Sequence, residues 1–399
     1  MSGPWLHVIG IGEDGMAGLR PAARAVLEAA DVIVGGDRHH RLSEAVTAER
    51  VAWPSPFDAL IERLGSLRGR RVAVLATGDP LWYSVGARIA RALPAGEIVF
   101  HPQISAFQLA AARMGWSLPD VETLTVHGRP EAQVIPFIQP GARLLILTTG
   151  AATPGVIAGF LRAAGMEESR LTVLSAMDGP NEARIEGRAA DWDAQVPPFN
   201  TLAVECVAAP GTRWHARIPG LPDDAFEHDG TMTKREMRAL TLARLKPMRG
   251  ALLWDLGCGC GSVSIEWMRA AREARAIGIE PREDRRMMAA RNAEALGTPR
   301  LELRGGSAPE ACAGLAPPDA VFIGGGLSSG VVDMALGALR PSGRLVANAV
   351  TLESQSLMSE LHARHGGDLV QLQIARAEPV GPYRGWRAAM PVMQWSFET

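Results

Sequence analysis

Residues 252–267 read LLWDLGCGCGSVSIEW, and no other stretch restricts the fold so strongly. Leu252, Leu253 and Trp254 form the kind of apolar run that is buried in a parallel sheet, and Asp255 stands at its carboxyl end. Gly257, Gly259 and Gly261 follow at alternate positions, letting the backbone turn sharply where any side chain would block a ligand. A helix is expected from Ser262. Two cofactor classes use a strand, a glycine turn and a helix, and the spacing separates them. A dinucleotide fold requires G-x-G-x-x-G, with the pyrophosphate on the helix N-terminus. Here the third glycine comes one residue early and Ser262 takes its place. A carboxylate ahead of the first glycine also repels a phosphate and attracts an ammonium, which suits the amino-acid end of S-adenosylmethionine (SAM). One strand later, residues 276–280 (AIGIE) supply a second acid, Glu280, placed to accept from ribose hydroxyls. A SAM pocket is therefore expected from Asp255, Gly257, Cys258, Gly259, Cys260, Gly261 and Glu280.

A chain of 399 residues exceeds one ordinary domain, and at ~150 residues per domain it holds two or three. The net charge of −2, with Lys234 and Lys246 the only lysines, provides no polybasic stripe for nucleic acid. The four cysteines include one close pair, Cys258 and Cys260, without the second pair that a zinc site needs, so no metal is expected and the thiols read as small reduced residues. No charged n-region and apolar h-region opens the sequence, and no apolar run approaches the ~20 residues of a membrane span. A cytoplasmic enzyme without a membrane partner is expected.

From the start, residues 6–10 read as a first strand, followed by Gly10, Gly12 and Gly15 in a G-x-G-x-x-G spacing. In a nicotinamide-binding fold the helix would begin at those glycines. The helical pattern AARAVLEAA begins only after Pro21, a residue suited to a first turn. Strands are expected at 31–34 and 71–76, the latter closed by Thr77, Gly78, Asp79 and Pro80, and helices between them imply a parallel sheet. Asp79 is by itself also an ordinary turn residue. Ser105 and Gln108 make an S-x-x-Q capping box for a helix ended by Gly115.

The pieces GIGEDG, LRPAARAVLEAADVIVGG, TGDPLWYS and ISAFQLAAARMG together resemble the tetrapyrrole methylases of the cobalamin and sirohaem pathways, over residues 6–208. The resemblance implies two α/β subdomains with SAM in the cleft between them, contacted by Gly10, Gly12, Gly78, Asp79, Tyr83, Ser105 and Ala106. The commonest family form has Pro-Gly after the first two glycines, where this chain has Glu13 and Asp14. A second subdomain is expected from a strand at 143–147, a helix at 154–164 and strands at 171–174 and 201–207.

Residues 210–224 are rich in Pro, Gly and polar residues without a sustained period, which makes them the expected linker between domains 1–209 and 225–399. The second domain opens with a T-x-x-E capping box at Thr233 and Glu236 and an apolar helical face of Met237, Leu240 and Leu245. After the glycine turn come a loop at 305–310, a strand at 320–323 followed by three glycines, and a strand at 344–347 ending at Asn348. In an open α/β sheet, ligands bind outside the carboxyl ends of the strands.

Through MTKREMRALTLARL, DLGCGCGSVSIE, GIEP, GSAPE, FIGGG and NAVTLE, this half resembles the precorrin decarboxylating methyltransferases of cobalamin synthesis, which have a class I SAM-dependent (Rossmann-like) fold. The SAM contacts it implies are Thr233, the turn 257–261, Glu280 and Ala308. Ser307 stands where the family commonly has an acid. The two resemblances on one chain imply a bifunctional enzyme with two SAM sites. It would methylate a reduced precorrin at C5 through the N-terminal half and at C15 through the C-terminal half, with loss of CO2 from the acetate at C12. A homo-oligomer is expected. Carboxylates on such a macrocycle call for arginine anchors. Arg38, Arg129, Arg235 and Arg282 lie in or beside candidate pocket loops, although charged side chains usually face solvent. Asn348 is the candidate acceptor contact in the second half, unless it is only a loop hydrogen-bonder. The competing classes are a SAM-dependent nucleic-acid methyltransferase, a nicotinamide-dependent oxidoreductase and a non-catalytic SAM sensor.

Overall fold

The computed structural model describes residues 3–399, in two compact units. The first runs to Arg213 apart from Ala132–Pro136; the second comprises Trp214–Thr399 together with Ala132–Pro136. Among the described residues no helix is long and apolar enough to cross a membrane.

The first unit contains an all-parallel sheet in the order Glu49–Ala52, Val32–Gly35, Val72–Thr77, Leu6–Ile11, Ile98–His101. Its central strands are nearly continuous buried runs, as expected when both faces are covered. Gly10 and Ile11 pair with Ala76 and Thr77, and Ile9 pairs with His101, so the loops after these three strands leave the same edge side by side. Pro21 opens the first α-helix, Pro21–Glu28, and only a short 3-10 turn, Gly15–Gly18, lies before it. No α-helix begins at Gly10, Gly12 or Gly15, as a dinucleotide site would need. A second sheet in this unit has the order Glu122–Thr125, Arg143–Leu147, Asn200–Glu205, Arg170–Ser175, Ala183–Arg188, with only the first pair parallel.

The second unit is built on a seven-stranded sheet in the order Glu302–Arg304, Arg275–Ile279, Leu252–Leu256, Ala320–Ile323, Arg344–Ala349, Val392–Glu398, Asp368–Leu372. The first five strands are parallel, and Val392–Glu398 runs antiparallel to both its neighbours. The strand order reverses between Leu252–Leu256 and Ala320–Ile323, which opens a crevice beyond their carboxyl ends. A two-stranded hairpin, Ala375–Val380 with Tyr383–Ala388, is inserted between the two outermost strands in sequence.

Two local expectations are corrected at the start of this unit. The helix Arg235–Leu245 has Lys234 as its cap residue and no side-chain cap bond. Thr233 lies one residue too early, its carbonyl accepting from Arg238, while Glu236 pairs with Arg376. The buried face is Met237, Arg238, Thr241, Leu242 and Leu245, whereas Leu240 is 42% exposed. The segment expected to link the domains packs into the second unit from Trp214 onward. Glu266 accepts from the amides of Gly220 and Leu221 at 2.7 and 2.9 Å, Arg238 donates to the Leu221 carbonyl and to Glu266, and Arg269 donates to the carbonyls of His215 and Ala216. Buried charges in a low-dielectric interior require such partners.

Candidate active site

The crevice of the second unit is a pocket of about 880 Å³, within the usual range for small-ligand sites of about 300–1,000 Å³. Thr233, Asp255, Glu280, Ala308 and Asn348 line it, together with the turn 257–260. Asp255 is 1% exposed. One carboxylate oxygen, Oδ2, accepts from the Ser264 amide at 3.1 Å and its hydroxyl at 2.7 Å, while Oδ1 has no partner. Burial pushes the carboxyl up to about 6 against the lowering effect of the two Ser264 bonds, with the charge of Glu280 adding to the rise. Glu280 ties two loops together, one oxygen accepting from the Gly259 amide at 3.0 Å and the other from the Arg282 amide at 3.1 Å.

The glycine turn is explained by close approach. All three glycines have positive φ, and a Cβ on Gly257 would lie 2.9 Å from the Gly325 nitrogen, so this turn and the glycine loop after Ala320–Ile323 touch backbone to backbone. At Gly259 the nearest atom to a Cβ is 3.7 Å away, leaving room for a side chain to enter the pocket. Gly261 caps the helix Ser262–Ala270 and packs on Ala289. Cys258 and Cys260 are buried free thiols whose pKa values burial raises, so they serve as small apolar packing.

Asn348 is held by two neighbours that the sequence did not reveal. Its Nδ2 donates to Thr241 Oγ1 at 3.0 Å and its Oδ1 accepts from Gln394 Nε2 at 2.9 Å. Gln394 also donates to Thr241, at 3.1 Å, and is itself fully buried. The arginines expected near this pocket stand apart from its lining. Arg235 is exposed at the helix start, and Arg282 is paired with Asp284. The cations that do line the pocket are Lys234, Arg285, Arg376 and Arg387.

In the first unit, the three loops at the carboxyl edge of the parallel sheet converge. A Cβ on Gly10 would lie 2.1 Å from the Gly78 carbonyl oxygen, and one on Gly78, at φ +61°, 3.1 Å from the Ser105 Cα. The Ser105 capping box is present: its hydroxyl accepts from the Gln108 amide and Gln108 Oε1 accepts from the Ser105 amide at 2.8 Å, starting the helix Ala106–Met114. Gln103 donates to the Gly18 carbonyl at 2.7 Å and binds the third loop to the first. Gly12 lies against the Asp14 carboxylate. Asp79 closes its own turn by accepting from the Leu81 amide at 2.7 Å. Tyr83 has a left-handed backbone, donates to the Thr123 carbonyl at 3.1 Å, and carries Arg129 over its ring at 5.8 Å. Arg38 is engaged by Glu13 and Thr77 and stacks on Phe199 at 4.4 Å, so its charge is largely spent inside the unit.

Residues 5–193 match the family model for tetrapyrrole (corrin/porphyrin) methylases and residues 224–399 the one for the precorrin methyltransferase domain. A protein of Sinorhizobium sp named precorrin-6Y C(5,15)-methyltransferase (decarboxylating) is 46% identical over 397 residues, covering 99% of this chain and 96% of the relative. One of the same name from Mycobacterium tuberculosis is 38% identical over 395 residues, covering 98% of each. A shorter protein of Pyrobaculum calidifontis, named "Probable cobalt-precorrin-6B C(15)-methyltransferase (decarboxylating)", is 38% identical over 186 residues, covering 45% of this chain and 95% of its own length.

Proposed function

The chain belongs to the family of decarboxylating precorrin-6Y C(5,15)-methyltransferases, and from that premise we propose that it methylates a reduced precorrin at C5 and C15 and removes CO2 from the acetate at C12 during cobalamin biosynthesis. The observation that carries this reading is the likeness to such a protein along 99% of the chain, through both units at once. The nucleic-acid alternative finds no support among these relatives.

The second-unit pocket fits SAM. Its glycine cradle admits a ligand against the backbone, and Asp255 Oδ1, buried without a partner, is placed to receive an ammonium. Ser264 fixes that carboxylate by holding Oδ2, and the Gly259 amide fixes Glu280 for a ribose diol. In the first unit the converged loops at Gly10, Gly78 and Ser105, with Gly12, Asp79, Tyr83 and Ala106 beside them, are assigned the second SAM site. Bound SAM supplies an electrophilic sulfonium methyl. Electron-rich macrocycle carbons are nucleophiles already, so the chain's task is alignment rather than strong base catalysis. Asn348, fixed by Thr241 and Gln394, is oriented to meet the acceptor.

C15 methylation and decarboxylation are assigned to the second unit and C5 methylation to the first. The Pyrobaculum relative, named for C15 methylation with decarboxylation, matches 186 residues of this chain and is covered to 95% of its own length, so a protein of about one unit's length carries that name. The enzyme is assigned to the cytoplasm as a homo-oligomer.

Incubating the full chain with reduced precorrin and SAM, and reading products by mass spectrometry, tests the reaction. Two added methyl groups and one lost carboxyl are expected, with two S-adenosylhomocysteines released. A macrocycle recovered unaltered overturns the reading.

A further inference from the structure

Two guanidinium groups stand directly opposite each other on the hairpin Ala375–Val380 with Tyr383–Ala388, where Arg376 is the register partner of Arg387. Directly opposed side chains on one face of an antiparallel pair are about 5 Å apart at Cβ, and like charges there weaken the hairpin. The pleat gives this face Arg376, Glu378 and Val380 on one strand and Arg387, Gly385 and Tyr383 on the other. Local carboxylates offset the repulsion in part: Arg376 donates to Glu236 at 2.6 Å and Arg387 to Glu378 at 3.1 Å. Each bond uses one terminal nitrogen, leaving most of both five-donor forks unspent.

Arg376 and Arg387 line the same pocket as Asp255, Glu280 and Asn348. The glycine-turn end is acidic, through Asp255 and Glu280, and repels an anion. The hairpin end holds the two opposed cations. Glu236 and Glu378 also line the pocket beside these arginines, so what the hairpin end offers an anionic group is the unspent N–H donors of the two forks rather than a net positive field. Toward the hairpin tip, the arginine face continues into Val380 and Tyr383, 62% and 78% exposed, so charge gives way to an apolar surface.

We propose that Arg376 and Arg387 form a clamp for a side-chain carboxylate of the macrocyclic acceptor, with Val380 and Tyr383 lying against its apolar ring. This rests on the reading that the second-unit pocket receives a polycarboxylated tetrapyrrole. A carboxylate seated between opposed guanidiniums accepts from both and converts their repulsion into attraction, in the planar geometry that arginine presents. A tetrapyrrole joins an apolar plate to peripheral carboxylates, and this hairpin face carries the complementary pair of surfaces.

The test uses the full chain with Arg387→Gln, Arg387→Lys, Arg376→Gln and Arg376→Lys. Arg387 is the cleaner site, since its side chain is 76% exposed and, among the described residues, its ion pair is with Glu378. Arg387→Gln is expected to raise KM for the precorrin by about ten- to a hundredfold, far more than it lowers kcat. SAM affinity, measured by calorimetry, stays at the native value, and the Lys variants recover part of the loss. With uroporphyrin, a stable porphyrin rich in carboxylates, Arg387→Gln is expected to weaken binding by a similar factor, the difference shrinking as salt is raised. A KM within about twofold of native overturns the clamp, as does a fall in SAM affinity that matches the rise in KM. The uroporphyrin measurement does not depend on turnover. Native protein that leaves precorrin unaltered counts against the proposed function, whereas equal uroporphyrin binding by native and Gln variants counts against the arginine pair.

Discussion

Asn348 and Gln394 are direct cross-strand partners, and Gln394 Nε2 donates to Asn348 Oδ1 at 2.9 Å beneath the pocket wall. With Thr241 accepting from both amides, the Asn348 carboxamide has one orientation, which leaves one N–H and one lone pair for a ligand. Replacing Gln394 with Leu keeps the bulk but leaves Asn348 Oδ1 without its donor, at a cost of about 1–3 kcal/mol. The expected outcome is a lower kcat/KM for C15 methylation, with C5 methylation and SAM affinity at native levels. Loss of all three together would make Gln394 merely structural.

Asp255→Ala removes a buried carboxylate placed for an ammonium. Such a contact is worth about 1.5–3 kcal/mol, or ten- to a hundredfold in affinity. Calorimetry of the full chain should lose one of two SAM sites, and loss of neither would sink the assignment. Binding requires the carboxylate form, and the free pocket holds this group up at about 6, so affinity at this site should fall as pH drops through about 6. Stability of the ligand-free unit follows the opposite course. A carboxyl whose folded pKa is raised favours folding while it is protonated, and that contribution is lost as pH rises from the unfolded value of about 3.9 through about 6. Urea titrations of the native chain and of Asp255→Asn across this window isolate the contribution: without ligand the native protein should weaken relative to the variant as pH rises, and SAM should offset that loss in the native protein.

Gly259→Arg puts a long side chain into the open pocket and forces a non-glycine residue into a left-handed backbone. It should abolish both C15 methylation and CO2 loss. Gly78→Arg crowds the converged loops of the first unit, where a Cβ already meets Ser105 at 3.1 Å, and should yield a decarboxylated product with one new methyl. The two mutants should complement when mixed, given an intermediate that leaves one site and reaches the other. Mass spectrometry reads each case. Decarboxylation that persists in the Gly259 mutant and fails in the Gly78 mutant would reverse the assignment.

A piece beginning at Asp224 lacks the backbone groups that satisfy Arg238, Glu266 and Arg269. Stranding a buried charge costs about 3–5 kcal/mol. A piece beginning at Trp214 retains His215, Ala216, Gly220 and Leu221 and their bonds. Circular dichroism melts should find the Trp214 piece stable and the Asp224 piece markedly weaker; equal melting temperatures would show that these bonds contribute little.

The glycine turn, the acid that follows one strand later and the Ser105 capping box were legible because each is a local pattern, complete within a few residues. What lay beyond reach depends on register between distant strands. Gln394 reaches Asn348 only because Val392–Glu398 inserts antiparallel beside Arg344–Ala349. The hairpin arginines of the pocket lining escaped notice for a related reason. Proximity to a loop in sequence pointed to Arg235 and Arg282, while the hairpin brings in Arg376 and Arg387 from far along the chain. The Thr233 capping box matched the local pattern but lost to tertiary structure, because the buried Arg238 takes the Thr233 carbonyl and the helix begins two residues later. Residues 214–224 lack periodicity because side chains of the neighbouring helices, rather than a ladder, satisfy their backbone.

The insertion of Val392–Glu398 between Arg344–Ala349 and Asp368–Leu372 also sets an order in time. During synthesis the glycine turn and its five parallel strands leave the ribosome first, and Asp368–Leu372 emerges with no sheet edge of its own to join. It can dock only after the strand made later has threaded in beside it. The cofactor half of the pocket can thus form on a nascent chain, whereas the wall that orients Asn348 is completed only when residues 392–398 have been made.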